Sequence, residues 1–140
     1  MLFINPPFGN YFNLPHTTSI KGSFTLNPRP GLLSQIIKTL RYSYEYGGWV
    51  NKIGLRNNGI DYAIKRYNHN HIVSIAILNE NEIVPLENKI PKDMNIELNI
   101  SCPNNDHGVI TKGLKIFINP KRKWCIVKLS PTLDKSLIDS

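Results

Sequence analysis

The sequence predicts an α/β domain on a parallel sheet, and three observations carry that reading. Apolar runs of strand length alternate with segments of helical periodicity. The run His71 to Leu78 (HIVSIAIL) is apolar on both alternating faces, as in a strand covered on two sides. The chain has 140 residues, whereas a closed eight-stranded β/α barrel takes about 250, or about 200 at the short end. Four to five strands in that length make a partial barrel, or a small open sheet. With no internal repeat and no low-complexity linker, residues 1–140 read as a single domain.

The elements follow in order. Residues 1–5 (MLFIN) are a short apolar strand stopped by Pro6-Pro7. Residues 17–26 (TTSIKGSFTL) make a second strand, closed by Pro28 and Pro30, and residues 6–19 leave room only for a loop. Leu32, Leu33, Ile36, Ile37, Leu40 and Tyr44 recur at spacings of three and four, which predicts one helix ending at Gly47-Gly48. Residues 49–58 read as a loop and 60–67 as a short helix. After the strand at 71–78, residues 83–93 form a helical or irregular connection. Residues 95–102 (NIELNISC) alternate sharply, with Ile96, Leu98 and Ile100 on one face and Glu97, Asn99 and Ser101 on the other. Residues 114–118 predict a short helix, 125–129 (CIVKL) a strand and 133–138 a last helix.

Composition excludes several classes. A hydrophobic fraction of 41% with 19% charged residues fits a packed core rather than a disordered chain. No apolar run reaches the roughly 20 residues of a membrane span. The start lacks a basic n-region, so no signal peptide is expected and the cytoplasm is the expected location. Two cysteines, Cys102 and Cys125, are too few for a disulfide scaffold. The formal charge of +7 is spread singly along the chain, dense only at Lys121-Arg122-Lys123, and no stacking platform interleaves with it, so no nucleic-acid site is expected. His16, His69, His71 and His107 show no metal spacing, and His69 and His71 read as surface residues beside a turn.

The polar face of 95–102 is the most informative feature. A buried strand carries Glu, Asn and Ser on one side only where partners satisfy them or a pocket needs them. Cys102, Pro103 and Asn104 follow at the carboxyl end of the strand, where parallel α/β proteins hold ligands. Lys128, a lone lysine in an apolar strand, is costly to bury without a function or partner.

NIELNISCPN (95–104) resembles the substrate and flavin loop of the dihydroorotate dehydrogenase family, close to ELNxSCPN. Three more segments match in the same order: KGSFTLNPRPG (21–31), WVNKIGLRNNGID (49–61) and CIVKLSP (125–131). The resemblance covers the N-terminal half of that family's flavin-binding barrel, so it implies the first four to five strands of a TIM-barrel-like fold. It also implies FMN as cofactor and oxidation of dihydroorotate to orotate in pyrimidine biosynthesis.

By the same resemblance Cys102 is the catalytic base of the cysteine-base class, taking the C5 proton while hydride leaves C6 for the flavin. A thiol of ordinary pKa, about 8.5, needs a polar setting to serve as a base. Asn51, Asn99 and Asn104 match pyrimidine-binding asparagines, whose amides offer both donor and acceptor. Lys21 stands one residue out of register with a lysine contacting flavin and substrate. Lys128 matches a lysine beside the flavin ring, where positive charge favours the anionic reduced form. Asn5, Gly22, Ser23, Thr25 and Asn99 belong to the segments bordering the flavin, and no metal is implied.

The departures are specific. Pro6-Pro7-Phe8-Gly9 replaces the family's small Ala/Ser-Gly pair. The glycine-rich loops that grip the flavin phosphate, and a later substrate asparagine, have no counterpart in these residues, so weak flavin binding by the chain alone is the expectation. Two readings stand: a dihydroorotate-oxidising enzyme working within a longer or split protein, or a non-catalytic remnant reused as a structural or assembly subunit. Both imply a homo-oligomer or a complex with other chains.

Overall fold

The computed structural model describes residues 1–100 and 113–130. In chain order the elements are β1 (Leu2–Ile4), β2 (Thr17–Phe24), α1 (Leu32–Thr39), β3 (Arg41–Ser43), β4 (Gly48–Val50) and α2 (Ile60–Lys65). They continue with β5 (His71–Ala76), α3 (Ile83–Lys89), β6 (Ile96–Asn99) and β7 (Cys125–Lys128), with short 3-10 turns at Phe8–Asn10, Glu80–Glu82 and Leu114–Phe117. Five strands pair in parallel in the order β1-β2-β5-β6-β7 and curl into a partial β/α barrel, while β3 and β4 form a separate antiparallel pair.

The sheet separates its side chains by strand periodicity. Val73, Ile75 and Ile77 from β5 and its end, with Ile96 and Leu98 from β6, pack against Ile60 and Ala63 of α2 and Ile83 and Leu86 of α3. Phe117 and Met94 close this helix-facing core, both fully buried. Each such side chain contributes about 1.5–3 kcal/mol of transfer free energy. The alternate positions, Ile72, Ser74 and Ala76 on β5 and Glu97 and Asn99 on β6, take the opposite, inner face. The sharp alternation along Ile96–Asn99 thus separates two environments, and every residue of β5 and β6 is buried.

Two expectations are corrected. The helix begun at Leu32 ends at Thr39, not at Gly47, and residues 41–50 turn back as the β3–β4 hairpin where helix end and loop were expected. The Leu40 N–H closes the last helical turn on Ile36 O, and Leu40 itself is extended (φ −75°, ψ 118°). Thr39 Oγ1 donates to Gln35 O at 2.8 Å and accepts from the Lys52 N–H at 3.0 Å, tying the helix end to the chain beyond the hairpin. Tyr42 meets Trp49 across the strands edge to face at 5.8 Å, the kind of cross-strand pair that favours sheet over helix. The apolar stripe of α1 is not buried: Leu33 is 70% and Ile37 75% exposed.

The second correction concerns His71, which is buried at the start of β5 rather than on the surface. Its Nδ1 lies 3.1 Å from Asn68 Oδ1. Burial, with the nearby Lys21 charge adding to it, lowers its pKa from 6.5 to about 4. His69 is exposed as expected, beside Asp93 at 3.7 Å.

Candidate active site

An open cleft of about 740 Å³ gathers the ends of several strands. Pro6 and Pro7 after β1, Gly22 to Phe24 at the end of β2, Asn99 closing β6 and Lys128 closing β7 all line it. Asn51 and the loop through Asn58 form another wall. Lys21, Arg56, Arg66 and Lys128 supply positive charge, and no acidic side chain occurs among the described lining residues. Such a site suits a flat anionic ligand with mixed donors and acceptors.

The end of β2 is shaped by a break in its ladder. Its register with β5 shifts between Lys21 and Phe24, and Gly22 takes φ +135°, where a Cβ would stand 2.5 Å from Ser74 O. Only glycine fits so close an approach. The Asn10 side chain clamps this bend from both sides: its Oδ1 accepts from Gly22 N–H at 2.8 Å and its Nδ2 donates to Gly22 O at 3.1 Å.

The facing loop is held as firmly. Asn57 Oδ1 accepts from Thr25 N–H at 3.1 Å and Gly59 N–H at 2.8 Å, while its Nδ2 donates to Leu55 O at 2.9 Å and Thr25 Oγ1 at 3.0 Å. Backbone bonds between Arg29 and Asn57, 2.8 and 2.9 Å, complete the anchor. Within this loop Asn51 Oδ1 accepts from Ile53 N–H at 3.2 Å, which turns the chain at the cleft wall.

On the inner face Ser74 Oγ donates to Glu97 Oε1 at 2.7 Å, Ser23 and Ser74 hydroxyls lie 2.8 Å apart, and Asn99 Nδ2 donates to Ser23 Oγ at 2.9 Å. Asn99 and Lys128 are register partners, so both stand on this inner face.

The structure therefore brings Asn51, Asn99, Lys128, Lys21, Gly22 and Ser23 to one cleft. Lys21 pairs in register with Val73 of the helix-facing core and also borders a smaller recess of about 320 Å³ with His71 and Asn68. Thr25 is buried in the Asn57 anchor, away from the cleft lining, and Asn5 is exposed, with its carbonyl accepting the Gly9 N–H at 2.9 Å. Cys102 and Asn104 lie outside the described residues. Cys125 is half-buried and its thiol is pushed up by burial, against the opposing charge of Arg122. Sequence reasoning marked Glu97 through the polar face of its strand but did not single out Asn10, Asn57 or Ser74 as site-forming residues. Ser74 did leave a signal, as the only hydroxyl in an otherwise apolar run.

The cleft fits the flavin that the motifs imply. Gly22 offers its backbone without a side chain in the way, the charge is complementary, and Lys128 stands on the inner face.

Fold and site together define a β/α-barrel protein with a cationic, amide-lined ligand cleft at its strand ends. The chain is 39% identical over 116 residues to the catalytic subunit of dihydroorotate dehydrogenase B (NAD(+)) of Petrotoga mobilis, covering 69% of this chain and 38% of that one. It is 34% identical over 133 residues to the Geobacter metallireducens counterpart (86% and 40% covered), and 32% identical over 149 residues to that of Brachyspira hyodysenteriae (90% and 46%). The chain is thus related to the dihydroorotate dehydrogenase family, and it spans less than half the length of these curated relatives. No family model matches it, and no solved structure gives a significant match.

Proposed function

We propose that this chain contributes the pyrimidine side of a flavin-dependent dihydroorotate oxidation, in pyrimidine biosynthesis and in the cytoplasm, as a single domain of residues 1–140 within a longer or split protein. The observation that carries the reading is the convergence of Asn51, Asn99 and Lys128, from three separate motifs, on one cleft with no acidic side chain among its described lining residues.

Asn99 and Asn51, with Asn104, bind the pyrimidine, their amides matching alternating carbonyl and N–H groups. Lys21 adds positive charge toward the substrate carboxylate. Cys102 is the base that removes one proton from the substrate. Lys128, Ser23 and the Gly22 backbone would hold FMN, with Asn5 and Thr25 in the supporting segments. When bound, that flavin supplies the two-electron acceptor, so loss of one proton and one hydride converts dihydroorotate to orotate. Lys128 would favour negative charge on a ring held there.

The relatives are described as catalytic subunits, which supports assembly with other chains, a homo-oligomer or a complex covering the sheet edges at β1 and β7. The rival reading is a non-catalytic assembly subunit.

The test is dihydroorotate-dependent reduction of an artificial acceptor by the full assembled protein supplied with FMN. Wild type is expected to turn over, and Cys102→Ala to lose nearly all activity with an unchanged melting temperature. Absence of turnover by the assembled wild type contradicts the enzymatic reading and favours the assembly subunit.

A further inference from the structure

We propose that Ser74 and Glu97 are positioning residues for the Asn99 amide, acting through Ser23; the proposal rests on the reading of the cleft as a pyrimidine and flavin site. The four side chains form one directed chain of hydrogen bonds across three strands. Glu97 Oε1 accepts from Ser74 Oγ at 2.7 Å, which uses the only proton of that hydroxyl. The 2.8 Å contact between the two serines must then have Ser23 as donor. Ser23 has now spent its own proton, so toward Asn99 its oxygen acts as acceptor, and Asn99 presents Nδ2, at 2.9 Å. A carboxyl oxygen at one end of the chain thereby determines which arm of an amide stands at the other end.

Packing alone does not call for this arrangement. Ser74 is fully buried and Glu97 is 3% exposed. Desolvating a carboxyl and a hydroxyl costs more than filling the same space with apolar groups. The neighbouring inner-face pair Ile20 and Ile72 shows that this side of the sheet accepts apolar packing. The ladder of β2 is also broken where Ser23 enters the chain, and the Asn10 clamp on Gly22 holds that break in place. The polar chain reaches the cleft at Asn99.

An amide turned by half a rotation exchanges its donor and acceptor. If Asn99 reads the pyrimidine, such a turn replaces a matched pair with two like groups facing each other. Loss of the relay is therefore expected to weaken orotate binding by roughly tenfold. A residue that merely fills space would alter stability without changing either the amide or the ligand affinity.

The experiment follows the Asn99 side-chain amide by nitrogen-15 NMR in the full chain and titrates orotate into the same samples. Ser74→Ala is expected to shift the Asn99 amide pair, speed its exchange with water and weaken orotate roughly tenfold. Glu97→Gln, whose amide can donate to Ser74 as well as accept from it and so no longer fixes the direction of the chain, is expected to shift the Asn99 amide and weaken orotate. A Glu97→Gln protein with an unchanged Asn99 amide overturns the role given to Glu97. Should Ser74→Ala fail to fold, Ser23→Ala removes the last link directly and carries the same expectation. A folded Ser74→Ala or Ser23→Ala protein with an unchanged Asn99 amide overturns the proposal. An amide that responds as expected in a wild-type chain that does not bind orotate supports the relay and overturns the pyrimidine reading of the cleft.

Discussion

The β5–β6 centre and the α1–β3–β4 segment are both rich in apolar residues, yet they end in opposite environments. All residues of β5 and β6 are buried, with helices on one side and the polar chain on the other. No residue of α1 is buried, and the hairpin sets Tyr42, Tyr44 and Trp49 edge to face in the open. Apolar periodicity reports that a face can be covered. Whether it is covered depends on what the rest of the chain brings to it.

That comparison can be broken by truncating both regions. Leu98→Ala, at a fully enclosed position, is expected to cost about 2–5 kcal/mol in urea unfolding. Leu33→Ala on α1 is expected to stay within about 0.5 kcal/mol, as for other exposed sites. Equal costs would mean that α1 is covered in solution.

His71 sharpens the same contrast through pH. Its imidazole is held at about 4 in the fold against 6.5 for the ordinary group, so as pH falls the unfolded chain takes up the proton first. Stability should be full above about pH 6.5 and decline toward pH 4, by on the order of 3 kcal/mol if the whole shift is expressed. Urea midpoints across that range, compared with His71→Phe, check it; the variant should show a flatter profile.

A smaller effect belongs to the junction between the regions. Thr39→Val removes the hydroxyl that links Gln35 O to the Lys52 N–H and should cost about 1 kcal/mol. Faster amide exchange confined to residues 39–52 would locate the loss at the hairpin.

Strand β6 was legible because period two sorts Ile96 and Leu98 from Glu97 and Asn99 without any knowledge of neighbours. The parallel sheet of four to five strands was legible for a similar reason, since strands and helical segments alternate along the chain, whereas the strand order came from the structure. The hairpin was not, because Leu40 and Tyr44 extend the helical spacing of Leu33 and Ile37 while the Tyr42–Trp49 pair and the Lys52 bond act across the turn. Buried His71 was missed because the turn beside it suggests solvent, whereas its burial comes from the sheet. Of the site, the motif residues Asn51, Asn99 and Lys128 could be read directly. The supports at Asn10 and Ser74 could not, since Asn10 meets Gly22 across 12 residues and Ser23 meets Ser74 and Asn99 at separations of 51 and 76 residues. Glu97 showed only as part of a polar face with no partner named.

FMN fluorescence during titration with the full chain tests most directly whether the strand-end cleft is a flavin and pyrimidine site. The account predicts weak, saturable quenching that is reduced in Lys128→Ala and in Asn99→Ala while Leu33→Ala, outside the cleft, leaves it unchanged. Absence of quenching at any workable concentration, or quenching indifferent to Lys128 and Asn99, would contradict it.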